Sequence, residues 1–323
     1  MHTLIFECIT HLKYLDMQKK HLFLLLLILG TGFWGISFTF VKVGIGSGSP
    51  YIFIFYKFLI AFVVLSTVFF NHLKKISKKT VKIGFLIGIP LLVGNFLQSI
   101  GLKYTTVSNS AFITGMDVLL IPILKFAVYK KKVANKIWLA CVLALIGLYI
   151  IVVKDGLSLN YGDLWIVACA FAFAFYVLQV GKYSKESDPI PSVIILMLFC
   201  AIGSGMFGVF DSQSVWIPKN FDFWKGIFFA GLFATAFMYT VQNIGQRYLS
   251  EEKVAMTYLF EPIFATIAGI IILGETFNKE IFIGGSLIFC AMLIVELNLN
   301  FKRKKYEYSS FYKHLNNRHL VIK

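Results

Sequence analysis

Residues 98–117 read QSIGLKYTTVSNSAFITGMD, and residues 242–261 read QNIGQRYLSEEKVAMTYLFE. Placed one above the other, 144 residues apart, they share a glutamine, an isoleucine, a glycine, a tyrosine and an alanine in register. Asp117 then falls opposite Glu261, and the register continues without a gap to Ile137 and Ile150 opposite Ile281 and Ile294. The sequence therefore contains an internal duplication.

Composition places this duplication in a membrane protein. Of the 323 residues, 58% are hydrophobic and 15% are charged, and the mean hydropathy is +0.77. Soluble domains average about 45–50% apolar and about 25% charged residues. The charges are bunched between long apolar runs, whereas a soluble protein spreads them over every outer face. An apolar solvent is needed as well as an apolar core.

Apolar runs long enough to cross a bilayer predict ten transmembrane helices. About 20 apolar residues cross the hydrocarbon core. By that measure the spans lie near residues 21–43, 51–71, 83–102, 107–129, 137–153, 163–183, 190–210, 223–243, 254–273 and 280–298. The duplicated stretches belong to spans three to five and eight to ten. Since five is odd, the second copy enters the membrane from the opposite side, which makes an inverted repeat.

The predicted fold is thus an all-α integral membrane protein with ten transmembrane helices arranged as a 5+5 inverted repeat. The two halves can exchange conformations, which gives inward-open and outward-open states of similar energy and suits transport. The predicted organisation is an N-terminal tail, a first five-helix repeat, a second five-helix repeat and a basic tail, at residues 1–20, 21–153, 163–298 and 299–323.

The lysines and arginines orient the chain. If both termini are cytoplasmic, cytoplasmic segments carry 23 of these residues and the opposite side carries 5. Positive charge is retained on the cytoplasmic side, so both termini are predicted there, in a bacterial cytoplasmic membrane. The net charge of +15 does not indicate nucleic-acid binding, because each basic cluster follows a bilayer-length apolar run. Met17, just before the basic pair Lys19–Lys20, is the expected native start.

Short motifs within these spans carry a family resemblance. They are GFWGISF at residues 32–38, FYKFLIA at 55–61, GLKYTTVSNSAF at 101–112, YLFEPIF at 258–264 and LGE at 273–275. Over residues 21–298 the chain resembles EamA-type transporters of the drug/metabolite transporter superfamily. Asp117 stands where that family more often has a small residue before proline, and Lys57 where it commonly has arginine. The resemblance implies alternating-access transport, often export, of amino acids or other metabolites.

Ionisable groups inside a bilayer are costly, so each is a candidate functional residue. Lys42 and Lys125 lie near span ends, where their stems are expected to snorkel to the interface. Lys57 is balanced between substrate binding and a structural ion pair. Asp117 and Glu261 fall mid-span, with pairing to lysines as the alternative. With polar and aromatic neighbours added, the predicted substrate-binding residues are Trp34, Lys57, Asn95, Gln98, Asp117, Tyr176, Tyr239, Gln242 and Glu261.

Two prolines accompany these carboxylates. Pro122 and Pro262 leave the carbonyls of Val118 and Tyr258 without helical donors. Such freed carbonyls are expected to form a polar niche facing a cavity or a neighbouring helix. No histidine falls mid-membrane, and no cysteine pair has metal-ligand spacing, so neither a metal nor a cofactor is expected.

Three classes of function are candidates for such a membrane protein. A metabolite transporter fits the repeat and the intramembrane charges. A membrane-embedded enzyme acting on lipid-linked substrates would need a catalytic cluster, yet the chain has no HExxH, GxSxG or Walker-type motif. A scaffold for protein partners would carry larger soluble loops. The sequence favours a transporter whose partners are a small molecule and the lipid bilayer, and leaves a homodimer open.

Overall fold

The computed structural model describes residues 2–46, 49–105, 110, 113–152, 161–261, 263–264 and 279–296. Throughout these residues the regular structure is helical. The helices are α1 His2–Gly46, α2 Pro50–Val68, α3 Phe70–Leu73, α4 Lys78–Tyr104, α5 Asp117–Ala127, α6 Asn135–Val152, α7 Tyr161–Tyr183, α8 Pro189–Phe210, α9 Phe221–Gly245, α10 Glu251–Tyr258 and α11 Lys279–Glu296.

Side-chain caps begin several of these helices. Ser77 precedes α4 in a capping box, in which the Thr80 N–H donates to Ser77 Oγ at 3.3 Å and the Ser77 N–H donates to Thr80 Oγ1 at 2.6 Å. Asp188 caps α8, where proline occupies the first helical position. Ser250 caps α10 by accepting from the Lys253 N–H. These contacts satisfy amide groups that the first helical turn leaves without partners.

Six of the described helical segments are long and apolar enough to cross a membrane: Met17–Val41, Pro50–Val68, Lys78–Tyr104, Tyr161–Tyr183, Pro189–Phe210 and Phe221–Gly245. Shorter apolar helices cover Asn135–Gly147 and Phe282–Val295. The predicted spans 107–129 and 254–273 are described only in part, through α5 and α10. Pro262, the Gly274–Glu275 motif and the basic tail lie outside the described residues.

Helix bounds repeat with the offset found in the sequence. Helices α6 and α11 cover stretches that the offset of 144 residues places in register. The same offset relates α4 to α9. When the bounds of α4 are shifted by 144 residues, α9 begins and ends within three residues of the shifted positions. Helices α6 and α11 also pack against each other in opposite directions, since Lys136 Nζ donates to the Val295 carbonyl at 2.9 Å. The duplication is therefore visible in helix lengths as well as in residues.

The apolar side chains divide into an interior set and an outward set. Leu91, Ile121 and Met256 are fully buried between helices, whereas Leu25 is 65% exposed and Val209 is 67% exposed. Exposed leucine and valine over most helices would be a liability in water. They suit a surface that faces lipid.

Helices α4 and α7 approach each other closely at two glycines. A Cβ on Gly162 would lie 2.8 Å from the Gly101 carbonyl oxygen and 2.8 Å from the Thr105 nitrogen. A Cβ on Gly101 would lie 3.0 Å from the Gly162 carbonyl oxygen. Backbone atoms cannot rotate away, so the contact requires residues without side chains.

We expect Gly162→Ala to destabilise the protein by about 1–3 kcal/mol, because the added methyl group must push two backbones apart. Thermal unfolding in detergent measures the loss as a lower Tm. Gly285→Ala is the matched control, since its Cβ would meet only Ile263 at 3.6 Å, an ordinary contact. Equal melting temperatures for the two variants would contradict the close approach.

Candidate functional site

A large cavity lies among the described helices. The empty space inside it, counted together with its open mouth, is about 880 Å³. All nine residues predicted to bind substrate line it: Trp34, Lys57, Asn95, Gln98, Asp117, Tyr176, Tyr239, Gln242 and Glu261. The structure thus brings the whole set together, while their role in binding stays a prediction.

Equivalent positions of the duplication surround this cavity. Five pairs of lining residues stand 144 residues apart in the sequence: Leu91 and Thr235, Asn95 and Tyr239, Gln98 and Gln242, Thr114 and Tyr258, and Asp117 and Glu261. Such pairing is expected where two copies of one structural unit face each other. The cavity therefore lies between the two duplicated stretches.

Lys57 enters the cavity wall from α2. Its side chain is buried, and Nζ donates to Asn95 Oδ1 at 2.6 Å. Asn95 Nδ2 in turn donates to the Leu91 carbonyl at 2.8 Å, which fixes the amide with its oxygen toward the lysine. Among the residues that the structure describes, no carboxylate forms an ion pair with Lys57. The structural ion pair considered for this lysine is absent there.

Two buried carboxylates lie on the same cavity. Asp117 is 4% exposed and Glu261 is 8% exposed, and neither pairs with a lysine among the described residues. Asp117 Oδ1 is buried without a hydrogen-bond partner. The alternative in which both carboxylates hold the bundle together through lysines therefore does not describe this part of the chain.

The carbonyl that Pro122 frees, that of Val118, meets a neighbouring helix. The Cys141 thiol of α6 donates to the Val118 carbonyl at 3.3 Å. A weak donor from a helix that packs against α5 thus satisfies this oxygen. A neighbouring helix is one of the two surroundings predicted for this carbonyl.

Four aromatic rings form one continuous wall. Trp34 lies 5.0 Å from Tyr258 and 5.6 Å from Tyr239, and Tyr239 lies 5.7 Å from Tyr176, as ring-centroid distances. Asn243 Nδ2 donates to the Tyr176 hydroxyl at 3.0 Å and anchors the last ring. Edge-to-face contacts of this kind hold rings in fixed positions.

A π-helical segment, Ala230–Phe237, interrupts α9 beside the cavity. Wider turns displace backbone groups from the usual pairing, and such segments are frequent at functional sites. Here the Trp34 indole N–H donates to the Ala234 carbonyl at 2.7 Å. Ala230, Ala234 and Thr235 line the cavity as a result, and the sequence contained no signal for this segment.

Thr114 and Tyr258 are cavity residues that the sequence reasoning missed. A usable signal existed, because each stands three residues before a predicted carboxylate, and residues three apart share a helix face. They are also equivalent to each other in the duplication.

The sequence profile of the EamA-like transporter family matches the chain twice, over residues 21–153 and 160–297. The chain belongs to this family. It is a multi-pass membrane protein, and the cavity is lined from both EamA matches.

Individual relatives agree with this assignment. An uncharacterized transporter of Archaeoglobus fulgidus is 30% identical over 218 residues, covering 68% of this chain and 70% of the relative. The uncharacterized transporter YyaM of Bacillus subtilis is 25% identical, covering 64% and 71%. A solved crystal structure, 15% identical, superposes with a TM-score of 0.70 over 86% of this chain and 96% of its own. That last likeness concerns the fold alone.

One ion-pair cluster joins the two EamA matches at a helix end. Lys125 Nζ of α5 lies 2.7 Å from Glu251 Oε2 and 2.7 Å from Glu252 Oε1, at the start of α10. Burial acts to raise the pKa of the Glu251 carboxyl, but the hydrogen bonds from Lys125 and the backbone, together with the nearby lysine charges, bring that pKa below its usual value. We name these three residues the latch.

The ion pairs of the latch contradict the expectation that the Lys125 side chain snorkels to the membrane interface. Its side chain is only 16% exposed, because two carboxylates from the other EamA match lie within reach and satisfy the ammonium group. The side chain of Lys42 lies outside the described residues. Among the residues that the structure describes, no group of three or more His, Cys, Asp or Glu side chains is placed to hold a metal ion.

Proposed function

We propose that the protein moves small metabolites across the membrane by alternating access. In this proposal ten transmembrane helices form two five-helix halves, residues 21–153 and 163–298, of opposite orientation. Both termini face the cytoplasm, and the membrane is a bacterial cytoplasmic membrane. The described residues of a single chain line the cavity.

The observation that carries the proposal is the pairing of cavity residues at the offset of the duplication. The cavity is bounded by equivalent positions of two similar halves. Each half therefore stands between the site and one face of the membrane in a similar way. Exchanging the conformations of the halves then exposes the same site to the other face at little cost in free energy. Membrane enzymes and scaffolds have no need of this arrangement.

The charges of the cavity favour amino acids or related compounds as cargo, and the family resemblance favours export. Lys57 offers a positive group to a carboxylate, whereas Asp117 and Glu261 offer negative groups to an amine. The aromatic wall, which includes Trp34, Tyr239 and Tyr176, provides an apolar surface for the side chain of the cargo. A zwitterion of moderate size satisfies all three features.

Flux in proteoliposomes tests this function. Purified protein is reconstituted, and uptake and counterflow are measured with labelled amino acids, nucleosides and sugar phosphates. We expect saturable flux of one class, reduced roughly tenfold or more by Glu261→Gln or Lys57→Ala, because each removes a charged hydrogen-bonding group. Asp222→Asn and Lys225→Ala, which change an exposed surface pair, are the matched controls and should retain flux.

Absence of flux for every compound, with the protein shown to be folded and inserted, would contradict the proposal for these cargo classes. Equal loss in the control variants would instead show that flux reports general damage to the protein.

A further inference from the structure

Four cavity side chains end in buried oxygens that have no hydrogen-bond partner in the described structure. They are Thr114 Oγ1, Asp117 Oδ1, Gln242 Oε1 and Tyr258 OH. Their residues are 9%, 4%, 0% and 6% exposed, respectively. A buried polar atom without a partner costs roughly 1–3 kcal/mol, so a cluster of them indicates groups that a ligand satisfies.

The chemistry of these oxygens specifies what they lack. The amide oxygen of Gln242 and an ionised Asp117 can only accept hydrogen bonds, while the two hydroxyls can donate or accept. The Gln242 amide nitrogen is already directed at Gln246 Oε1, 3.4 Å away, which leaves the oxygen free. The missing partner is therefore a group rich in N–H donors.

Charge points to the same group. The cavity carries one lysine and two carboxylates among its lining residues. With all three ionised, one negative charge is uncompensated. The Trp34 and Tyr258 rings, with centroids 5.0 Å apart, line the same cavity as the carboxylates, and aromatic faces attract cations.

We propose that the part of the cavity lined by these oxygens is an ammonium subsite. Asp117 and Gln242 accept hydrogen bonds from a primary ammonium group of the substrate, and Glu261 and the aromatic wall surround that group. This inference rests on the proposed transport function and deepens it. The subsite recognises the N–H donors of the ammonium group and not its positive charge alone.

Isothermal titration calorimetry on the unaltered protein in lipid nanodiscs separates hydrogen-bond donation from positive charge. Three probes of similar size are compared. They are phenethylamine, its N,N,N-trimethyl derivative and phenylacetate. We expect phenethylamine to bind roughly tenfold or more tightly than the trimethyl derivative, which keeps the charge but donates no hydrogen bond, and phenylacetate to bind weakest.

Asp117→Asn should weaken phenethylamine binding by a similar factor, and Asp222→Asn, the same change at an exposed carboxylate, should leave it unchanged. Equal binding of the trimethyl derivative, preference for phenylacetate, or binding of none of the probes would overturn the ammonium subsite. Proteoliposome flux of an anionic metabolite together with any of these results would retain the transport function and reject only this inference.

A second inference rests on the latch and its equivalents in the duplication. At the offset of 144, Lys125 corresponds to Gly269, and Glu251 and Glu252 correspond to Val107 and Ser108. None of these counterparts is ionisable, so the three charges of the latch have no equivalents at the positions related by the duplication. In the described structure those charges are in contact, and their side chains are 16%, 13% and 8% exposed.

We infer that the latch biases alternating access by holding its own end of the molecule closed. Lys125 lies eight residues after Asp117, about 12 Å along an α-helix, so opening this end must separate α5 from α10. Gly181 of α7 makes room for the latch, since a Cβ there would lie 2.5 Å from Glu251 Cγ, far closer than a van der Waals contact allows.

Spin-label distances test the bias in a chain whose Cys8 and Cys290 are replaced by serine. One label pair, at Lys131 and Arg247, reports on the latch end, and another, at Tyr104 and Asp222, reports on the opposite end. All four positions are exposed. Lys125→Met should shift the first pair to longer distances and the second pair to shorter ones.

The double variant Lys125→Glu with Glu252→Lys keeps one positive and two negative charges and should restore the original distances. Unchanged distances in Lys125→Met would overturn the inference. Longer distances at both ends would also overturn it, because they report general loosening rather than a shift between two states.

Discussion

The cost of placing charge in a hydrocarbon layer governs this structure. Lys57, Asp117 and Glu261 cannot face lipid, so the helices that carry them must turn those faces inward to a common space. The outward faces are then left to side chains such as Leu25 and Val209. The cavity and the apolar exterior are two consequences of one constraint, and the helix packing follows from both.

Duplication gives this interior its order. Asp117 and Glu261 meet at one cavity because they occupy the same position in two copies of one unit. The latch departs from that order, since its counterparts at residues 107, 108 and 269 are uncharged. An exact repeat would make the two ends of the molecule alike. Charges confined to one end make one closed state more stable than the other, which gives a transporter a preferred resting state.

Sequence reasoning reached the broad fold and the cavity because bilayer burial leaves a strong pattern in a single chain. Apolar runs marked the long helices, and polar, charged and aromatic residues within the spans marked nine of the residues that line the cavity. Other features depend on contacts between distant segments. The thiol of Cys141 at the Val118 carbonyl, the partners of Lys125 and the π-helical segment Ala230–Phe237 have no local signature. The Lys125 expectation failed because helix position alone does not show which acidic groups lie opposite.

Alternating access requires that the cavity open to each face of the membrane in turn. The direct measurement is the reaction of a single cysteine, introduced as Thr235→Cys on the cavity wall in a chain without its native cysteines, with a membrane-impermeant maleimide. Alternating access predicts reaction in right-side-out and in inverted vesicles, with substrate lowering both rates. Reaction from one face only, under all substrate conditions, would contradict the account.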